Sequence, residues 1–230
     1  MAIKICGNTI IPNLTGCNTT SGNVAVGVNN LSSINTSAQN NIAIGQLSLQ
    51  CNTSGCNNVG IGYAALCGNT TGSNNFAVGF SALKCNTTGS NNTAIGCNAL
   101  LNNTYGAYNF AAGLSALNAN TIGSGNVAIG RIALSSNTTG CNNVALGTGA
   151  LNSNTSGNDN FAVGCSALLS NTTGNYNMAV GRGALCANSS GNNNFAQGYY
   201  ALRMNTTGCN KWALGCGALG RKRCGWMGFA

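Results

Sequence analysis

A glycine recurs at a fixed interval along almost the whole chain. Eleven of these glycines, from Gly45 to Gly215, are spaced 17 residues apart, and Gly27 precedes the series by 18 residues. A unit this short, written twelve times, is typical of a solenoid, in which each repeat forms one coil and contacts only its neighbours. We therefore expect one elongated repeat array over residues 18–219, an N-terminal cap or docking segment over 1–17, and a C-terminal tail over 220–230.

The near absence of acidic residues and histidine restricts the chemistry of the chain. It has one acidic residue and no histidine. General acid–base catalysis and hydrolytic triads need such groups. Calcium-binding repeats need an aspartate in each turn, and zinc sites usually use histidine or clustered cysteine. We expect no enzymatic activity, no catalytic residues, no cofactor and no bound metal.

The net charge of +8 does not by itself indicate nucleic-acid binding. The basic residues are scattered along the array, and only Lys211 with Arg221, Lys222 and Arg223 forms a local cluster. We expect no nucleic-acid partner, because a continuous basic stripe is missing. The apolar runs are also far shorter than the ~20 residues of a membrane helix, so no membrane span is expected. Residues 1–7 lack the apolar stretch of a secretory signal.

Most units contain a short stretch that reads apolar, alanine, apolar, glycine. An example is Phe76-Ala77-Val78-Gly79. Alternation with period two predicts a strand that ends at the glycine. On this interpretation the two apolar residues of each strand fill the coil, and the alanine between them faces outward, as at Ala77 and Ala94. A similar stretch ends at Gly96, Gly113 and Gly130, with Thr93 in place of the first apolar residue before Gly96.

A second short segment, Ala-Leu, follows the glycine in most units, and leucine holds its position in all twelve. We interpret it as a second strand, with Leu83 and Leu100 inward and the adjacent alanines outward. A turn of the type Asn-Thr-Thr-Gly closes the coil. An asparagine lies four residues before the glycine in eleven units, and Lys211 replaces it in the last. These asparagines, including Asn75 and Asn92, are predicted to bond their counterparts in neighbouring coils as an amide ladder. The fold class is thus an all-β parallel solenoid of about twelve coils, with two short strands per coil.

Two outward alanine columns would form a flat apolar strip along the rod. Monomers rarely leave such a strip exposed, so we expect identical chains to associate side by side, most simply as a homotrimer. The aromatic and basic tail offers a second contact. Arg221, Lys222, Arg223, Trp226 and Phe229 are candidate docking residues for an end-to-end filament or for an anchor on a virion or cell.

The sequence also resembles a known repeat pattern, most closely at Asn92-Thr93-Ala94-Ile95-Gly96 with Ala99-Leu100. This unit is similar to the β-roll head repeats of trimeric autotransporter adhesins and to arrays in tail-fibre-like proteins of phages and large DNA viruses. The resemblance implies a left-handed roll in a homotrimeric fibre on a virion or extracellular surface, with a host receptor or glycan as partner. The sequence departs from the pattern in its longer period, and residues 220–230 do not contain the intramolecular chaperone that commonly follows the array.

The cysteines and the sequons leave alternatives open. Cys51, Cys67 and Cys85 fall near one edge of successive coils, and Cys51 and Cys56 flank one turn, so disulfides among them are an alternative to free thiols. Asn52, Asn69, Asn86, Asn137 and Asn171 match the N-glycosylation acceptor, although turn chemistry alone selects the same residues. For function, a surface fibre or adhesin shaft is favoured, and ice binding or another repetitive-surface interaction is the alternative.

Overall fold

The computed structural model describes residues 21–220, together with the backbone of residues 4–5, 8–9 and 228–229. Two short strands near the N-terminus, β1 (Lys4–Ile5) and β2 (Asn8–Thr9), pair with each other antiparallel. All other described strands belong to one thirteen-stranded parallel sheet, in chain order. They are β3 (Val24–Val26), β4 (Ile42–Ile44), β5 (Val59–Ile61), β6 (Phe76–Val78), β7 (Thr93–Ile95), β8 (Phe110–Ala112), β9 (Val127–Ile129), β10 (Val144–Leu146), β11 (Phe161–Val163), β12 (Met178–Val180), β13 (Phe195–Gln197), β14 (Trp212–Leu214) and β15 (Gly228–Phe229).

The register of this sheet follows the sequence period. Ala77 of β6 is opposite Ala94 of β7, which is opposite Ala111 of β8, so every repeat position faces its own counterpart one coil away. This register confirms the predicted parallel β-solenoid with 17-residue coils. The prediction of two strands per coil is wrong. The Ala-Leu segment is a tight turn in which Leu83 and Leu100 adopt left-handed backbone angles, with φ of 53° and 51°.

The orientation of the strand side chains is opposite to the prediction. Ala77 and Ala94 are fully buried, whereas Phe76 and Ile95 each remain 40 % exposed. The alanines of the Ala-Leu turn, such as Ala99, are also fully buried and not outward as predicted. The predicted inward position of the leucines is confirmed, because Leu83 and Leu100 have no exposed surface. The core of most coils therefore consists of two alanines and one leucine, lined by buried asparagines.

The coil is too narrow for larger side chains at the strand centre, and the exception at Gly60 illustrates this. In the preceding coil, Ser48 occupies the position where later coils have a buried alanine, and its hydroxyl donates to the Gly60 carbonyl at 2.8 Å. A Cβ on Gly60 would lie 2.5 Å from that Oγ and 3.1 Å from the Ala65 carbonyl oxygen. At the strand centre the interior accommodates only a methyl group, and at Gly60 it does not accommodate even a methyl group. The larger Val, Ile and Phe side chains must therefore point outward.

The glycine after each strand is required by both backbone angle and spacing. Gly113 has φ of 138°, a region that side chains rarely allow. A Cβ at this position would lie 2.6 Å from the Gly130 carbonyl oxygen in the next coil. The 17-residue glycine period thus marks a corner where successive coils approach too closely for a side chain.

Candidate functional site

The first ladder of buried amides lies beside the sheet. Its members, which we call the strand-asparagine ladder, share the position four residues before the glycine: Asn23, Asn41, Asn58, Asn75, Asn92, Asn109, Asn126, Asn143, Asn160, Asn177 and Asn194. Asn92 is representative: its backbone N–H donates to Asn75 Oδ1 at 3.0 Å, and its Nδ2 donates to the same oxygen at 3.2 Å. The remaining Nδ2 hydrogen reaches the Gly106 carbonyl at 2.9 Å. The predicted amide ladder is confirmed.

A second ladder, which the sequence reasoning missed, begins at the closing turn of the second coil. This turn-asparagine ladder comprises Asn52, Asn69, Asn86, Asn103, Asn120, Asn137, Asn154, Asn171, Asn188 and Asn205. Within it Asn120 Nδ2 donates to Asn103 Oδ1 at 2.7 Å and to the Gly123 carbonyl at 2.9 Å. The available signal was the strict return of asparagine, never serine or aspartate, at the first position of this turn. Turn chemistry alone tolerates all three residue types.

This ladder bears on the glycosylation sequons. The five acceptor asparagines considered above all belong to the turn-asparagine ladder, and their side chains have no exposed surface. In Asn86, for example, Nδ2 donates one hydrogen to Asn69 Oδ1 and the other to the Gly89 carbonyl. A glycan on such a nitrogen would break two internal hydrogen bonds and would not fit in the coil. The folded rod therefore favours the structural interpretation of the sequons.

The hydroxyl of the residue that follows each turn asparagine from Asn52 to Asn188 donates a hydrogen bond to the next coil. Thr104 Oγ1 donates to the Thr121 carbonyl at 3.0 Å, and Thr121 Oγ1 donates to the Thr138 carbonyl at 3.0 Å. These hydroxyls link coils and do not form a free threonine array. The flat side of the rod is the sheet, and Thr93 is the only threonine among its outward strand positions.

The outer face of the sheet is the principal apolar surface within residues 21–220. We call it the apolar sheet face and define it as the first and third residues of strands β3 to β14. Eleven of the twelve first positions and eleven of the twelve third positions are apolar, with Thr93 and Gln197 as the exceptions. Its side chains are either half-buried, as along β5, β10 and β11, or exposed, as for Ile129 at 43 % and Trp212 at 60 %. At its C-terminal end a groove of about 230 Å³ is lined by Phe195, Gln197 and residues 212–214.

The size of this face can be worked out from strand geometry. Eleven steps between strands at about 4.8 Å give a length of about 53 Å, and two side-chain columns give a width of about 12 Å, or about 640 Å² in all. The largest apolar patch on a typical monomer is about 300–600 Å². Each partner in a standard protein–protein interface contributes about 800 Å². The face is therefore large for an isolated chain and close to the size that a specific contact requires.

The structure brings two of the four candidate disulfide cysteines together. The backbone N–H of Cys51 donates to the Cys67 carbonyl at 2.9 Å, and the Cys67 thiol, which is close enough to the Cys51 thiol to interact with it, donates to Gln50 Oε1 at 3.5 Å. Burial raises the pKa of Cys67, the Cys51 and Cys85 thiols raise it further, and Lys84 lowers it. Cys56 instead directs its thiol at the carbonyls of Ser37 and Ser54. All ten cysteines within the described part of the chain are free thiols, so a disulfide stays a prediction.

The predicted docking residues and the predicted N-terminal cap fall largely outside the described residues. Arg221, Lys222, Arg223 and Trp226 are outside the described residues, and for Phe229 only the backbone is described, as part of β15. The predicted N-terminal cap, residues 1–17, is likewise outside them apart from the backbone of β1 and β2. Across the described residues no three potential metal ligands cluster together, and no helix is long and apolar enough to cross a bilayer.

Comparison with known proteins yields no relative. No protein-family model, no curated protein and no solved structure matches the chain. Function must therefore be inferred from the ladders, the apolar sheet face and the ends of the array.

Proposed function

We propose that this chain is a structural rod that associates side by side with copies of itself through the apolar sheet face, most simply as a homotrimer. The observation that carries the proposal is the position of the valine, isoleucine and phenylalanine side chains. They lie on the outside of the coil, while the core is built from alanine, leucine and asparagine.

The energetics favour association through this face over any other described surface. Apolar area removed from water contributes roughly 25 cal/mol per Å², and the face is continuous along the whole array. Its side chains are held on a parallel sheet whose strands repeat in register, so two or three copies can meet along their length without reshaping the backbone. The sequence-based expectation of side-by-side contact is kept, but its surface changes from the alanine columns to the large apolar residues.

We further propose that the rod serves as a shaft or adhesin of a virion or extracellular surface. This part of the proposal is supported by the resemblance of the repeat to adhesin-head and tail-fibre arrays. A receptor or glycan would then be contacted by many equivalent coils, each weakly, because binding by repeated units multiplies modest affinities. The alternative of ice binding loses support, since the flat face presents aliphatic and aromatic side chains where such an activity needs ordered hydroxyls.

The experiment measures the mass of the assembly after glutamates have been introduced on the apolar sheet face. The variant carries Phe110→Glu and Ile129→Glu, both on the apolar sheet face. The matched control carries Tyr108→Glu and Ile122→Glu, which are 70 % and 52 % exposed on the turn side of neighbouring coils. Sedimentation should give the wild type and the control a mass of three times 23.0 kDa, about 69 kDa, and the face variant 23.0 kDa.

Circular dichroism checks that the coils persist in every sample. Neither face residue contributes to the buried core, so the variant should keep the wild-type spectrum. A wild type that sediments as a 23.0 kDa monomer at tens of micromolar refutes side-by-side association. So does a face variant that assembles as well as the control.

A further inference from the structure

The last coil of the array differs from all others at one buried position. Where the strand-asparagine ladder would continue after Asn194, the chain has Lys211, which is only 6 % exposed. Its backbone N–H still donates to Asn194 Oδ1 at 3.1 Å, as the asparagines do. Its ammonium group turns to the other ladder and donates to Asn205 Oδ1 at 2.6 Å. A single residue therefore contacts the ends of both ladders, one through its backbone and the other through its side chain.

The contact with Asn205 replaces a bond that the array itself can no longer supply. In every earlier rung of the turn-asparagine ladder, Oδ1 accepts from Nδ2 of the asparagine one coil further on, as Asn188 does from Asn205 at 2.9 Å. One period beyond Asn205 the sequence has Lys222 instead of asparagine. Without the Lys211 ammonium, Asn205 Oδ1 would lose the donor that each earlier rung receives. Leaving a buried acceptor unsatisfied is costly, which accounts for a cation at this site.

Lysine also prevents the strand-asparagine ladder from going further. An ammonium group has three donors and no acceptor, whereas each rung needs an Oδ1 that receives two hydrogens from the next coil. A thirteenth coil would therefore find no acceptor for its backbone N–H or its side-chain amide at this position. In addition, the strand place beyond β14 is already taken by β15, in the register Ala213 to Gly228 and Leu214 to Phe229. That register is offset by 15 residues and not by the 17 of the array.

The first coil is also closed to the turn-asparagine ladder. The residue equivalent to Asn52 in that coil is Ile34, whose N–H donates to the Leu31 carbonyl just as that of Asn52 donates to Leu49. Ile34 is partly buried against the core and carries no amide. The turn-asparagine ladder thus meets an apolar residue, Ile34, at its first end and a cation, Lys211, at its last.

We infer that Lys211 is a capping residue that terminates both amide ladders and prevents another copy of the chain from adding head to tail at the C-terminal end. The rod then has a fixed length of twelve coils and can assemble only side by side. This conclusion does not depend on the proposed lateral contact, because it concerns the end of the array and applies equally to a monomer. It argues against the end-to-end filament that the tail composition suggested.

The first test uses the wild-type protein and a small amine-reactive ester, with modification of each lysine followed by mass spectrometry. Lys84, which is exposed on the surface of a central coil, is the internal reference. A capped ammonium held against Asn205 should react at least about tenfold more slowly than Lys84, since a net hydrogen bond to a charged group corresponds to roughly that factor. Equal rates at the two lysines would overturn the capping role.

The second test compares Lys211→Met with Lys84→Met by hydrogen exchange. Methionine keeps the length of the side chain but removes the donor. Exchange should accelerate by about ten- to a hundredfold in peptides spanning residues 195–217, and not in those spanning 93–115, because only the last coils lose the cap. Lys84→Met should leave both regions at wild-type rates. Unchanged exchange at residues 195–217 in Lys211→Met would refute the inference, as would acceleration that is uniform along the rod.

The third measurement is rod length in electron micrographs. The wild type should show one length, about 55–60 Å for twelve coils plus the terminal segments, at every protein concentration. Lys211→Asn restores an acceptor to the last rung and releases Asn205 Oδ1, so a second copy should displace the two-residue β15 and add a population of rods at multiples of that length. Wild-type rods at such multiples mean that the end is not closed. If the Lys211 variants fail to fold, the amine labelling and rod lengths of the wild type still decide the question.

Discussion

Replacing one buried asparagine by leucine should cost more in the middle of the turn-asparagine ladder than at its first rung. Asn120 makes three side-chain hydrogen bonds: to Asn103 Oδ1 at 2.7 Å, to the Gly123 carbonyl at 2.9 Å, and from Asn137 Nδ2 at 2.8 Å. Asn52 makes two, to the Gly55 carbonyl at 3.0 Å and from Asn69 Nδ2 at 2.7 Å. Both side chains are completely buried.

The difference in free energy follows from the partners that each substitution leaves behind. Asn120→Leu removes the side-chain donor of Asn103 Oδ1, whereas the Gly123 carbonyl keeps the bond from Asn109 Nδ2 at 2.9 Å. Three lost bonds at about 1 kcal/mol each, plus about 1–3 kcal/mol for the orphaned oxygen, minus the gain from a buried leucine, give about 3–5 kcal/mol. Asn52→Leu orphans no acceptor, since the Gly55 carbonyl still accepts from Asn41 Nδ2. Its expected cost is about 1–2 kcal/mol.

Chemical denaturation followed by circular dichroism measures both costs, at one fixed protein concentration because assembly also stabilises the fold. The leucine side chain, its shape and its gain in burial are common to the two variants, so the difference of about 2–3 kcal/mol isolates the orphaned amide oxygen. In thermal melts this difference corresponds to about 4–12 °C for a chain of this size. Equal costs within about 0.5 kcal/mol would show that the ladder is not what stabilises the turn side of the coil.

Two further predictions concern a strained residue and a half-buried thiol. Ile132 is a β-branched residue with φ of 52°, so Ile132→Asn should relieve strain and raise the melting temperature by about 2–4 °C, whereas Ile129→Asn on the strand should not. Burial and the Cys51 thiol raise the pKa of Cys67, so its thiolate forms at a higher pH than that of an ordinary cysteine. Alkylation of Cys67 measured from pH 7 to 10 should therefore reach its half-maximal rate at a higher pH in the folded than in the urea-unfolded chain. Lys84→Gln should shift it further upward, because Lys84 lowers this pKa.

The strand positions show how far sequence patterns reach and where they fail. Alternation correctly located a strand ending at Gly79, and the recurrence of Asn75 and Asn92 correctly predicted an amide ladder. The same alternation also indicates which face of the strand is inward, because residues two positions apart lie on the same side of a strand. If Asn75 is buried in a ladder, Ala77 must also point inward and Phe76 outward. The general preference of large apolar residues for the core overrode this parity argument.

The prediction of a second strand at the Ala-Leu segment is wrong for a different reason. Alternating exposure is meaningful only in extended backbone, and Leu83 at φ of 53° lies in a turn where consecutive residues can both point inward. Nothing in the composition of Ala-Leu suggests a left-handed leucine, since that conformation is unfavourable for most side chains. Only the closure of a 17-residue coil around a narrow interior imposes it, and burial of the leucine offsets its cost.

The sequence by itself determined the period, the parallel stacking, the leucine column, the strand-asparagine ladder and the scarcity of titratable groups. These are properties of single positions repeated in register, and a repeat displays them directly. Tertiary structure alone decided which side of the strand is inside, that the turn asparagines are buried, and that Lys211 contacts both ladder ends. The physical reason is that each of these depends on the width of the coil or on residues from different coils meeting. Those distances are set by the path of the chain in space and not by any local pattern.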